Sequence, residues 1–206
     1  MKNFLLILIT CITILFTSCN TNYFDDYENS CFMANENGID NREKYRIRIY
    51  NGAKERIKLE LKQKCHGMTL KRNCGISLQQ CEMLMAGRVP SDIKEDQQVL
   101  WKLAYLMETR LMMPKIIVDY DRIPYVYRPG DANVRITFDK NIKSINDTNS
   151  FLDLKVGGRG ILPVGSALME VKFDDFIPDE IYSLLQLNGL QVSTFSKYYL
   201  CRKFAR

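Results

Sequence analysis

Arg46 and Arg48 in Tyr45-Arg46-Ile47-Arg48-Ile49-Tyr50, Arg135 in Asn133-Val134-Arg135-Ile136-Thr137-Phe138, and Glu170 with Lys172 in Met169-Glu170-Val171-Lys172-Phe173 all alternate with apolar neighbours. The stretch from Ile57 to Lys64 repeats the pattern with Lys58, Glu60, Lys62 and Lys64. Period-two alternation marks strands with one apolar face and one charged face. A guanidinium is planar and suited to bidentate phosphate contact, so strands centred on arginine suit a polyanion. Glu60 and Glu170 stand among these bases, and a carboxylate beside phosphate-binding bases suggests a divalent metal shared with phosphate oxygens. An antiparallel sheet with one solvated face gives the same alternation with no ligand. The pattern alone leaves both explanations open.

Composition narrows the choice. The 206 residues suffice for one domain with a proper core, and the 46% hydrophobic and 26% charged content is ordinary for a globular protein. A net charge of +5 is modest, so the placement of the bases matters more than their sum. No nucleic-acid module is present and the basic strands lack interleaved stacking aromatics, so nucleic acid is not expected as a partner. The seven cysteines form neither a C-x-x-C pair nor a paired zinc spacing, and the single histidine, His66, is a poor start for a zinc site or a His-based triad. Gly157-Gly158-Arg159-Gly160 lacks the Gly-Lys-Ser/Thr ending of a phosphate loop.

The elements that must position these residues follow in order. Met1-Lys2-Asn3 and the apolar run Phe4 to Phe16 have the form of a signal peptide, and Phe16-Thr17-Ser18-Cys19 resembles a bacterial lipoprotein box with Cys19 as the lipidated residue. Residues 1–19 are therefore read as a leader or a spurious start, and 20–206 as the domain. A polar stretch from Asn20 to Glu43 precedes a strand meander, Tyr45–Tyr50, Ile57–Lys64 and Met68–Cys74, with turns at Asn51-Gly52 and His66-Gly67. Ser77 caps a helix over Leu78–Ala86 closed by Gly87, and Asp92-Ile93-Lys94-Glu95 opens a longer helix to about Met112. Its broad face of Val99, Leu103, Leu106 and Arg110 with neighbours Leu100, Met107 and Leu111, and with Trp101 and Tyr105 beside it, is expected in the core. Strands return at Lys115–Tyr120, Tyr125–Tyr127, Asn133–Asp139 and Leu168–Phe173, with a loop from Asn146 to Gly165. A helix from Pro178 to about Leu187 and a basic, aromatic segment over Thr194–Arg206 end the chain.

Helices with an apolar face must cover the apolar side of the strands, which turns the charged side away from them. A sheet that curls to closure makes that side the lining of a barrel. The expected class is α+β, an antiparallel β tunnel or barrel with flanking helices.

Lys44 to Tyr50, Leu59-Glu60-Leu61-Lys62, Asn133 to Asp139, Met169 to Phe173 and Phe195-Ser196-Lys197-Tyr198 resemble, in order, the signature segments of the vacuolar transporter chaperone (VTC) domain, one of the triphosphate tunnel metalloenzymes. The resemblance runs from about Tyr23 to Arg202. It implies an antiparallel tunnel whose polymerase members move the terminal phosphate of ATP onto a polyphosphate chain with manganese, magnesium or a similar ion. By position it implies that Arg46, Arg48, Lys62, Lys71, Arg122, Arg135 and Lys197 grip phosphates, that Ser196 assists, and that Glu170 holds the metal, with Glu60 a second carboxylate candidate. Such chemistry rests on positioning and charge neutralisation more than on a covalent nucleophile. The family's opening strand and helix have no counterpart before Tyr23-Phe24-Asp25, so the tunnel is expected to be incomplete there, with strand edges exposed. Thr194 stands where the polymerases carry a base.

Three functions fit: a polyphosphate polymerase-type enzyme, a protein that holds polyphosphate or another polyanion without turnover, and a truncated, inactive family member. A spurious start goes with a cytoplasmic enzyme. A real leader goes with an exported or lipid-anchored protein, separated from ATP.

Overall fold

The period-two stretches are strands, as their alternation requires. The computed structural model describes residues 16–129, 133–153, 156–187 and 192–205. Most of the expected leader therefore lies outside the described residues. The strands are β1 (Thr17–Asp25), β2 (Arg42–Tyr50), β3 (Ile57–Cys65), β4 (Met68–Ile76), β5 (Met113–Tyr127), β6 (Val134–Ile145), β7 (Arg159–Gly160) and β8 (Ala167–Phe173). The helices are α1 (Ser30–Glu36), α2 (Leu78–Met85), α3 (Gln98–Arg110), α4 (Asp179–Leu185) and α5 (Lys197–Phe204). The strands follow the order β4-β3-β2-β1-β5-β6-β7, with β8 paired to β6. Among the described residues this path is linear, and no ladder closes β4 onto β7.

The chain divides into two compact units. Of the described residues, the larger comprises those within Ser18–Tyr120, Ile142–Ile161 and Ser196–Arg206; the smaller holds those within Asp121–Asn141 and Leu162–Phe195 together with Phe16 and Thr17.

In the larger unit one face of β2 and β3 supplies Tyr45, Ile47, Ile49, Ile57, Leu59 and Leu61 to a core completed by Leu84 of α2 and by Leu100, Leu103 and Met107 of α3. α2 starts as expected, with Ser77 and Gln80 exchanging the two bonds of a capping box. The β3–β4 connection is a two-residue turn in which His66 (φ 49°) and Gly67 (φ 76°) both adopt left-handed backbone, as a hairpin of this hand requires. The only histidine is thus spent on a turn. Leu103 is fully buried, so Leu103→Ala is expected to cost about 2–5 kcal/mol, read as a lowered urea midpoint.

Several elements differ from expectation. α3 starts at Gln98, not Asp92, because Gln97 is drawn inward. Its side chain exchanges two 3.0 Å bonds with Gln80 and donates to the Gly75 carbonyl at 2.7 Å, so the segment before it turns instead of coiling. Trp101, Tyr105 and Leu111 are 55%, 66% and 58% exposed and Arg110 is exposed too, off the stripe of Val99, Leu100, Leu103, Ala104 and Met107 that faces the core. The stretch read as polar from Asn20 contains β1 and α1. β1 lies between β2 and β5 and is buried from Cys19 to Asp25, although Asn20, Thr21 and Asn22 give it no apolar alternation. Cys19 is fully buried within it, its Sγ 3.7 Å from Thr21 Oγ1, so acylating that thiol requires this end of the strand to open. Lys115–Tyr120 and Tyr125–Tyr127 are one strand, β5. The loop from Asn146 contains a 3-10 turn over Thr148–Leu152, which drives Phe151 into the core, and the short β7.

The smaller unit holds the end of β5, most of β6, β8 and α4. Its β6–β8 register sets Arg135 opposite Lys172, Thr137 opposite Glu170 and Asp139 opposite Leu168. Directly opposed residues share a face, so Arg135, Thr137, Asp139, Glu170 and Lys172 all leave the sheet on one side. Among the described residues no helix is long and apolar enough to cross a membrane.

Candidate functional site

The larger unit carries its charge on the face of β2 opposite the core. Register places Arg48 opposite Thr21 of β1 and Lys58 of β3, and Arg46 opposite Tyr23 and Glu60. The two guanidiniums are set firmly. Arg46 donates from Nε to Glu60 Oε2 at 2.7 Å, brings a terminal nitrogen to 2.6 Å of the same oxygen, and donates to the Tyr23 hydroxyl at 3.2 Å. Arg48, only 8% exposed, reaches Glu60 Oε1 at 3.5 Å, the Tyr50 hydroxyl at 2.9 Å and Thr21 Oγ1 at 3.4 Å. Tyr23 and Tyr50 also place ring faces against the two guanidiniums, with centroids 5.9 and 5.7 Å away.

Burial opposes ionisation of Glu60, but the Arg46 and Arg48 guanidiniums outweigh it and hold the carboxyl below the usual carboxylate range. The stabilisation is therefore complete at neutral pH and is lost as pH falls through that depressed value. Glu60 was expected as a metal-ligand candidate, yet both its oxygens face guanidiniums. It acts here as the brace that aligns Arg46 and Arg48.

On the same face Lys62 of β3 stands opposite Lys44 of β2 on one side and Lys71 of β4 on the other. Ser196 caps α5, accepting from Tyr199 N, and Lys197 Nζ lies 5.0 Å from the Tyr120 ring centre. The fixing of α5 was not legible in the sequence. The fully buried Asp25 carboxylate accepts from the backbone N–H groups of Asp26, Cys31 and Phe32 at 3.0, 2.8 and 3.0 Å and from the Tyr198 hydroxyl. Burial, then Asp25, pushes the Tyr198 hydroxyl far up, so it stays a neutral donor. Arg202 adds a bond to Asn29, and Tyr199 stacks on Phe32 at 5.2 Å. Tyr23, Tyr50, Asp25 and Tyr198 stand in segments singled out in the sequence but were given no role in the site there. The one signal for them was the aromatic and acidic Tyr23-Phe24-Asp25 beside a basic, aromatic C-terminal segment.

In the smaller unit Arg122 makes a two-pronged pair with the fully buried Asp139, at 2.7 and 2.8 Å, and approaches Glu170 Oε2 at 3.7 Å. Lys172 pairs with Glu170 Oε1 at 2.7 Å. Arg135 is exposed opposite Lys172. Asp139 thus does for Arg122 what Glu60 does for Arg46.

Among the described residues no three His, Cys, Asp or Glu side chains gather into a metal site. Glu170 still fits a cation of the magnesium or manganese kind, which uses one or two carboxylates and takes the rest of its shell from phosphates and water. Its side chain is 38% exposed, and the buried Thr137 hydroxyl, opposite it in register, has no hydrogen-bond partner among the described residues.

No curated protein matches the chain. Among solved structures, a candidate adenylate cyclase from Bacillus halodurans superposes with a TM-score of 0.50 at 14% identity, over 88% of this chain and 80% of that one. An adenylyl cyclase-like protein from Hippeastrum, described as having a dominant triphosphatase activity, gives 0.43 at 14% identity over 90% and 78% of the two chains. The PH1819 protein of Pyrococcus horikoshii gives 0.39 at 14% identity over 89% and 78%. The first of these likenesses supports the antiparallel fold. With the VTC domain matched over residues 14–205, nearly the whole of it, the chain belongs to the VTC domain family.

Proposed function

We propose that this protein is a polyphosphate polymerase-type phosphotransferase, which moves the terminal phosphate of ATP onto a polyphosphate chain. The observation that carries this reading is the pair Arg46 and Arg48, aligned on one strand face and braced by a carboxylate, Glu60, that they hold ionised. Two guanidiniums fixed in advance suit a reaction in which charge spreads over phosphoryl oxygens, because fixed donors need little reorganisation as the charge develops. Lys62, Lys71 and Lys197 extend the positive face of the larger unit, and the smaller unit has its own phosphate-binding candidates in Arg122 and Arg135. Glu170 would hold a divalent metal with the Thr137 hydroxyl beside it. Bound there, the metal would neutralise phosphate charge.

The full chain incubated with ATP and Mn²⁺ is expected to produce polyphosphate visible on a gel, and EDTA is expected to abolish that product. Binding of added polyphosphate with no product from ATP would instead select a second reading, a polyanion-binding protein without turnover. What favours that reading is Glu170 itself, whose carboxylate is already engaged by Lys172 and Arg122. Neither binding nor product would sink both.

A further inference from the structure

Lys44 precedes Arg46 by two residues on β2, so it leaves the sheet on the same side as Arg46 and Arg48. It is half-buried. Its ammonium donates to Asn35 Oδ1 of α1 at 2.6 Å and to Ser196 Oγ at 3.2 Å, and lies 5.5 Å from the ring centre of Tyr198 on α5. An ammonium has three donors. Among the described residues its two hydrogen-bond acceptors are neutral oxygens, and no carboxylate pairs with it.

The Ser196 hydroxyl is held from two sides. Its oxygen accepts from Lys44 Nζ and, as the cap of α5, from Tyr199 N at 3.3 Å. A hydroxyl oxygen offers two lone pairs, so with both taken its O–H is left to donate. Lys44 and Ser196 therefore present donors side by side, on the face that carries Arg46 and Arg48.

We propose that Lys44 is a further phosphate-binding residue, so placed beside Ser196 that one oxyanion of a polyphosphate or nucleoside triphosphate accepts from the ammonium and the hydroxyl together. The proposal rests on the phosphate reading of the Arg46 and Arg48 face, and adds a residue to it. The surroundings of Lys44 make the subsite sensitive to pH. Arg42 and Arg46 flank it on β2, Lys62 faces it from β3, Cys31 from α1 and Tyr198 from α5. Burial, then the Arg42 and Lys62 charges, lower its pKa to about 8. Cys31 and Tyr198 are both pushed far up by burial and stay neutral there. A bound oxyanion favours the charged ammonium. The free protein loses this proton as pH rises through about 8 while the complex keeps it, so affinity falls with rising pH.

Calorimetric titration of the full chain with tripolyphosphate at about pH 7 and about pH 9 tests this. Wild type should weaken on the order of tenfold between the two, and at the higher pH binding should take up a proton. Lys44→Arg should match wild type at the lower pH and lose most of the fall. Lys44→Met should bind on the order of tenfold more weakly at the lower pH, with an equally flat profile. The ligand's own titration is common to all three proteins and cancels. A lysine that merely docks α5 would leave the wild-type fall intact in Lys44→Arg, and that outcome, or wild-type affinity in Lys44→Met, overturns the proposal. If Lys44→Met does not fold, Lys44→Arg still decides it. Binding lost in Arg48→Ala but unchanged in the Lys44 variants would leave the phosphate reading standing and remove this subsite, whereas no binding by wild type would remove both.

Discussion

Arg48→Ala is expected to lower phosphoryl transfer by on the order of 10²–10³-fold, the loss that follows when one preorganised donor is removed from a developing oxyanion. Arg48 is the base best suited to show it. Its guanidinium is nearly buried and fixed by Thr21, Tyr50 and Glu60, so it meets a phosphate without first being ordered. Alanine removes the donor and leaves Glu60 with Arg46 as its remaining guanidinium. Arg48→Lys restores a charge but not the planar fork, and should recover only part of the loss. The measurement is polyphosphate formed from ATP with time, with a melting curve to show that each variant is folded. Activity of Arg48→Ala within about threefold of wild type would remove this face from the chemistry, since even a modest oxyanion donor is worth far more.

The second large effect is on stability. Asp25→Ala should cost about 3–5 kcal/mol, since it leaves several buried donors unsatisfied at about 1–3 kcal/mol each. The carboxylate caps α1 from the end of β1, through the N–H groups of Cys31 and Phe32, because Asn29 at the helix start makes no side-chain cap. It also receives the Tyr198 hydroxyl, so alanine orphans donors just past β1, in α1 and in α5 at once. Asp25→Asn should be costly too, since its amide sets an N–H against groups that themselves donate. Urea unfolding of each variant gives the difference, and a loss under about 1 kcal/mol would show that α5 is held mainly by its ring contacts. Because α5 carries Ser196 and Lys197, the same change should loosen tripolyphosphate binding.

Much of this was legible in the sequence. The alternation around Arg46, Arg48, Arg135 and Glu170 marked strands and the face each charge would take, because a strand's period of two leaves side chains no other choice. Asn20, Thr21 and Asn22 hid β1 because a strand buried on both faces between neighbours need not alternate. The start of α3 misled because a capping pattern is local, while Gln97 is pulled inward by Gln80 and Gly75, residues distant in the chain. Trp101 and Tyr105 are apolar by type but sit off the helix's inward stripe.

By itself, then, the sequence determined the class of fold and the row of bases, which follow from periodicity and residue type over short spans, while the family came from the resemblance of several ordered segments to the VTC domain. The tertiary structure decided what those bases do. It turned Glu60 into a brace for two arginines, gave Arg122 the buried Asp139, brought Ser196 to Lys44, and tied the last helix to Asp25. Each of these depends on residues brought together from distant parts of the chain or across a ladder, and no local pattern encodes such a meeting.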